Sequence, residues 1–136
     1  MKTTAKTEQF GVHLMIDGYH GQFKKLKDAA MLKRLLDTLP AKIGMHKLAD
    51  SVVIEVGPKN RKDPGGLSGF VLIAESHMSF HTFPSRGFVT IDVYTCQNKL
   101  PIKKLVSAFK SAFKFKVCDS YIVKRGLKYP IDNIYE

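Results

Sequence analysis

Alternation of apolar and polar positions first becomes regular over residues 10–20, "FGVHLMIDGYH", where Val12, Leu14 and Ile16 share one face. That period of two predicts a first strand, preceded by a polar tail to about Gln9 and ended by Gly18 and Gly21. The period then changes to that of a helix. Met31, Leu32, Leu35, Leu36 and Leu39 line one side, Asp28 stands where an N-cap belongs, and Pro40 marks the exit. The run "SVVIEV" at 51–56 is continuous and β-branched, which predicts a buried strand, and the Gly- and Pro-rich stretch 57–69 predicts a loop. Residues 70–74, "FVLIA", predict a third strand.

Further along, "GFVTIDVYTC" at 87–96 alternates so that Phe88, Thr90, Asp92, Tyr94 and Cys96 fall on one face. Pro101 suits the first turn of a second helix whose apolar side is Ile102, Leu105, Val106, Phe109 and Phe113, and residues 120–126 predict a last strand. Two helices against one face of a largely antiparallel sheet make an α+β two-layer sandwich. With 136 residues, 44% of them hydrophobic, one domain over 1–136 can bury one core. No run approaches the roughly 20 apolar residues of a membrane helix. The opening "MKTTAKTEQ" lacks the apolar centre of a signal peptide, so a cytoplasmic protein with no membrane contact is expected.

Charge changes the picture only a little. Lys and Arg number 22 against 12 acids, a net +10, which brings nucleic acid into consideration as a partner. The basic clusters at 24–27, 59–62 and 109–116 are scattered, however, and no DNA- or RNA-binding motif accompanies them. A solvated basic surface accounts for them, and a nucleic-acid-binding module stays as an alternative. Two cysteines, Cys96 and Cys118, are too few for a disulfide framework or a zinc site.

The chemistry-bearing residues gather at 74–96, where Ser76, His77, His81 and Cys96 sit among apolar neighbours. Singly, each has an ordinary structural explanation as a turn, strand or small core residue. A serine hydrolase would need the G-x-S-x-G elbow, which does not surround Ser76 and is only half present at Ser68. His77 and His81 have the i, i+4 spacing that converges on a metal from a helix, but this segment reads as a strand, and no metal is expected.

Taken together, "SGFVLIAESHMSFHTFP" and "IDVYTC" resemble the small prokaryotic S-adenosylmethionine decarboxylases, over most of residues 11–115. The shared features are the Ser76–His77 pair, His81 five positions after the serine and Cys96 twenty after it. The resemblance implies that the hydroxyl of Ser76 attacks the carbonyl of Glu75 and turns the peptide bond into an ester, with Ser68 assisting at the developing oxyanion. It implies that His81 then removes the α-proton of Ser76, so that the chain separates into 1–75 and 76–136 and Ser76 becomes a pyruvoyl cofactor. That ketone condenses with the substrate amine as a Schiff base and takes up the electrons left when carbon dioxide departs. Cys96 is the implied proton donor to the resulting carbon. A homodimer of cleaved protomers is implied as well. Since neighbouring strand residues face opposite sides, Ser76 and His81 are expected to need a turn or break at Glu75, Ser76 and His77.

Two positions depart from the family's pattern. An acid usually follows the "HTxP" proline and holds the substrate ribose, and here Ser85 follows it. The position of the aromatic residue that stacks on adenine falls on Lys62. Other aromatics, Phe10, Phe70 or Phe83, are available to a sulfonium nucleoside. The departures leave two substrate readings, S-adenosylmethionine on the route to spermidine, or a smaller basic amino acid such as arginine or ornithine.

Overall fold

The protein is described by a computed structural model that covers residues 6–74 and 76–135. Its strands are β1 (Thr7–Glu8), β2 (Gly11–Tyr19), β3 (Val52–Val56), β4 (Gly66–Ile73), β5 (Ser76–Phe83), β6 (Phe88–Thr95), β7 (Val117–Arg125) and β8 (Tyr129–Pro130). The helices are α1 (Phe23–Leu26), α2 (Ala29–Lys42) and α3 (Ile102–Phe113), with a 3-10 turn at Pro84–Arg86. Six strands form one sheet in the order β3-β4-β5-β6-β2-β7, antiparallel at every pairing, while β1 and β8 make a separate two-stranded ribbon. This is the α+β sandwich that the hydrophobic pattern predicts.

Alternation decides which face is covered. Leu14 and Ile16 of β2, Met78 and Phe80 of β5, and Val89, Ile91 and Val93 of β6 are all buried on one side. Against them lie Leu32, Leu36 and Leu39 of α2 and Leu105, Phe109 and Phe113 of α3. Each such side chain contributes about 1.5–3 kcal/mol on leaving water. Asp28 caps α2 by accepting a 3.0 Å hydrogen bond from the Met31 amide.

Several expectations need correction. Pro40 does not end α2, which runs on to Lys42 with the proline inside its last turn. Residues 66–69 are not loop but the start of β4, because their backbone pairs with β3 and β5. β3 is not buried: it is an edge strand, and Val52 and Ile54 are 52% and 58% exposed. Strand β6 stops at Thr95, so Cys96 follows the strand rather than ending it. Among the described residues no layer covers the opposite face of the sheet, and Val52, Ile54, Phe70, Leu72, Tyr121 and Val123 are exposed on it.

Candidate active site

Ser76 is the first residue of β5, and Ala74 lies in a turn. Glu75, the residue before the expected cut, lies outside the described residues. The Ser76 side chain points to the helix side, 8% exposed, and its hydroxyl donates a 2.9 Å hydrogen bond to Thr95 Oγ1, its partner across the ladder. Thr95 Oγ1 also accepts from the Gln97 amide at 3.1 Å, which curls the chain as it leaves β6 and carries half-buried Cys96 to the same end of the sheet. A side chain at Gly11 would put its Cβ 2.0 Å from the Thr95 carbonyl oxygen and 2.9 Å from Cys96 Cα, so only glycine lets β2 begin this close. In front of Cys96 is a cavity of about 240 Å³ lined by Glu8, Gln9, Phe10, Cys96, Asn98 and Tyr129.

Ser68 and His81 form a second group. They are register partners on β4 and β5, and Ser68 Oγ shares a 2.8 Å hydrogen bond with His81 Nδ1 on the open face. A serine so placed holds the imidazole in one orientation, as a proton-accepting histidine requires. Of the turn or break expected at Glu75, Ser76 and His77, Glu75 lies outside the described residues, and no break falls at Ser76 or His77, where β5 runs unbroken from Ser76 through Phe83. At about 3.3 Å per residue, His81 is roughly 17 Å along the strand from Ser76 and faces the other way. Within one chain the four residues expected to be catalytic therefore fall into two groups, Ser76 with Cys96 and Ser68 with His81.

Between the groups the open face is polar. His13 Nε2 and Asp92 Oδ1 are 2.9 Å apart, His77 lies against Tyr94 at 5.4 Å between ring centres, and the Arg125 guanidinium sits 5.0 Å over the Tyr94 ring. Burial, then the charge of His13, lowers the pKa of His77 below its ordinary value. Burial, then Asp119 and Asp92, raises that of Asp17.

Lys62 and Phe83 do come together, lining a cavity of about 550 Å³ with Asn60, Asp63, Arg86 and Phe88. Ser85 is exposed in the adjoining 3-10 turn and is not part of that lining. Thr95 is the residue that sequence reasoning missed. In the alternation it falls on the face opposite Tyr94 and Cys96, and only the β5–β6 register shows that it meets Ser76. Among the described residues, no group of three or more His, Cys, Asp or Glu side chains is arranged to hold a metal, and no helix is long and apolar enough to cross a membrane.

Comparison with known proteins turns this arrangement into an enzyme class, the pyruvoyl-dependent decarboxylases. The family model for S-adenosylmethionine decarboxylase matches residues 12–126, and the chain belongs to that family. It is 32% identical over 117 residues to the S-adenosylmethionine decarboxylase proenzyme of Sulfurihydrogenibium sp. (strain YO3AOP1), covering 86% of this chain and 83% of that one. The proenzyme of the same name from Thermococcus kodakarensis is 31% identical over 121 residues, 89% of this chain and 80% of its own. In fold, the chain is similar to the crystal structure of the adenosylmethionine decarboxylase from Aquifex aeolicus VF5, with a TM-score of 0.71 and 23% identity over 95% of this chain and 98% of that one.

Proposed function

We propose that this chain is synthesised whole, cuts itself before Ser76, and then decarboxylates S-adenosylmethionine in the cytoplasm to supply the aminopropyl donor for spermidine. The observation that carries the reading is the pairing of Ser76 with Thr95 at the end of the sheet where the next residue, Cys96, lines a cavity. A serine at the first position of a strand, its hydroxyl already hydrogen-bonded at 2.9 Å, is held at a fixed distance from the peptide bond that precedes it. Attack there gives an ester between the two segments, and loss of the Ser76 α-proton then releases residues 1–75 from 76–136. Since Ser76 is the precursor residue and abuts the cavity end of the sheet, the site fits a pyruvoyl group at residue 76, which when present withdraws the electrons freed with carbon dioxide. Cys96, beside that position, returns a proton, and a cytoplasmic setting keeps its thiol reduced.

His81 cannot reach Ser76 of its own chain, which supports a homodimer as the working form. Two copies packed through their open faces would bring the Ser68–His81 pair of one to the Ser76–Cys96 end of the other. The side chain of Ser76 points to the helices, so a histidine from the second copy would approach its backbone from the open face. The exposed Val52, Ile54, Phe70, Leu72, Tyr121 and Val123 on that face are the apolar surface such a dimer covers.

A second substrate reading rests on the cavity at Lys62 and Phe83. Its rim carries Lys62 and Arg86 and offers Asp63 as the acid, while Ser85 supplies no carboxylate. Asp63 is the feature that would hold the side chain of a smaller basic amino acid, arginine or ornithine, against the repulsion of Lys62 and Arg86, and the absence of an acid at Ser85 weakens the hold on a ribose. Carbon dioxide release from S-adenosylmethionine, arginine, ornithine and lysine, measured in parallel on fully cut enzyme, decides between them. Preference for S-adenosylmethionine is expected; clear turnover of arginine or ornithine with S-adenosylmethionine inert would overturn that choice.

A further inference from the structure

We propose that the helix side of this protein carries a binding surface for single-stranded RNA, with phosphates on the lysines around α1 and the end of α3 and a base on the ring of Phe23. The proposal stands apart from the decarboxylase reading, since no residue proposed for the chemistry lies in α1 or α3.

Two of the three basic clusters that lie apart in the sequence meet in the fold. The Gln22 amide donates to the Phe113 carbonyl at 3.1 Å, which sets the start of α1 on the end of α3, and the Lys116 amide donates to the Tyr19 carbonyl at 2.9 Å. Lys24, Lys25 and Lys27 thereby join Lys110, Lys114 and Lys116, and all of these but half-buried Lys25 are exposed. Neither residues 19–27 nor residues 97–118 contain an acid. Among the described residues, none of these ammonium groups is in an ion pair. Lysines at the C-terminal end of a helix offset its dipole, which explains Lys110 and Lys114 but not Lys24, Lys25 or Lys27.

Charge alone would suit any polyanion, and Phe23 narrows the choice. Its ring is 52% exposed, with Lys27 Nζ 5.1 Å from its centre. That exposure is not looseness, because Leu26 of the same helix is buried and its carbonyl accepts from Thr82 Oγ1 at 2.7 Å. A fixed, half-exposed ring among lysines can stack a base while the neighbouring phosphates meet ammonium groups. Bases inside a duplex are already stacked on one another, so a single strand is the form that can use the ring, and most free single strand in a cell is RNA. A membrane surface fits less well, because the outward positions of α3, Lys103, Ser107, Lys110 and Ser111, offer nothing apolar to bury. The proposed dimer would cover the opposite face of the sheet and leave this side open.

The test follows the fluorescence anisotropy of a labelled oligouridine of about 16 nucleotides on the whole purified protein, cut or uncut. Binding should saturate, weaken with salt, and exceed that of an RNA duplex of the same length at least fivefold. Phe23→Ala should weaken it about fivefold or more, the value of one stacked base, and Phe23→Tyr should keep it. Lys24→Gln and Lys110→Gln should each make the dependence of log affinity on log salt shallower by about 0.7, whereas Lys59→Gln, in the third basic cluster, should not. An oligouridine carrying 5-iodouridine should crosslink under ultraviolet light to Phe23 of the native chain, a result that depends on no variant's folding. Absence of binding, a duplex bound as tightly as the single strand, a folded Phe23→Ala that binds normally, or a crosslink confined to Phe70 or Phe83 overturns the proposal. Tighter binding of the matching deoxythymidine strand would remove RNA as the partner. Capture by phosphatidylglycerol vesicles without any binding of oligouridine would contradict the proposal and assign the surface to membranes.

Discussion

Ser76 and His81 stand on one unbroken strand, five residues apart in sequence and on opposite faces of the sheet. A serine and the histidine proposed to remove its α-proton do not meet within one chain in that geometry, and the proposed dimer would supply the two halves of the site from two chains. Ser76→Ala alone stays whole because no hydroxyl remains, and His81→Ala alone stalls at the ester, which hydroxylamine cleaves. Expressed together, the two variants form mixed dimers in which the Ser76→Ala chain supplies His81, and the His81→Ala chain should then be cut into 1–75 and 76–136. Absence of any cut chain in the mixture, with mixed dimers confirmed by differential tags, would mean that His81 acts within its own chain.

Cys96 lies outside the β5–β6 ladder, so removing its thiol should spare self-cleavage. Cys96→Ala is expected to be cut, at least in part, yet to lose most carbon dioxide release or to inactivate by protonation at the wrong carbon. Normal turnover by the cut Cys96→Ala enzyme would assign the proton to another group.

Thr95→Val removes the acceptor of the Ser76 hydroxyl while keeping the shape of the core. A buried hydroxyl left without its partner costs about 1–3 kcal/mol. Urea unfolding of the uncut chain, made in a Ser68→Ala background in which ester formation is expected to be impaired, should show a loss in that range. An unchanged midpoint would mean that the 2.9 Å bond adds nothing to holding Ser76 in place.

Asp37 ties α2 to the start of β3. Its partial burial alone would raise its pKa, but the Ser51 amide at 2.7 Å and the ammonium groups of Lys47 and Lys33, each at 3.3 Å, outweigh this and lower it from 3.8 to about 2. A carboxylate lowered on folding stabilises above its unfolded pKa, so this contribution is complete above 3.8 and disappears as the pH falls toward 2. With the side chain 21% exposed, solvent screening keeps the contribution to about 1–2 kcal/mol. Asp37→Asn should therefore unfold more easily than the native chain at pH 7, and the gap should shrink between pH 4 and pH 2. A gap independent of pH would remove the ionised carboxylate from the explanation.

Local patterns made much of the sheet legible, because alternation in β2 and β6 and the helical spacing of Leu32, Leu36 and Leu39 each report burial on one side. β3 misled because a run such as Val52, Val53 and Ile54 reads as buried on both faces, and nothing within the run tells that the sheet ends there. Gly66 and Gly69 misled as breakers, since pairing with β3 and β5 outweighs their local preference. At the site, the family resemblance picked out Ser68, Ser76, His81 and Cys96, but only register shows that they divide into two groups. The contact of Phe10 with Tyr129 joins the two ends of the chain, which no local pattern can reveal.

The central claim is that the chain cuts itself to make its own cofactor, and denaturing mass spectrometry of the purified protein tests it most directly. Two polypeptides are predicted, residues 1–75 and residues 76–136, the second with a blocked N-terminus that borohydride reduces, while Ser76→Ala gives a single full-length mass. A native chain that remains one intact polypeptide after long incubation would contradict the account.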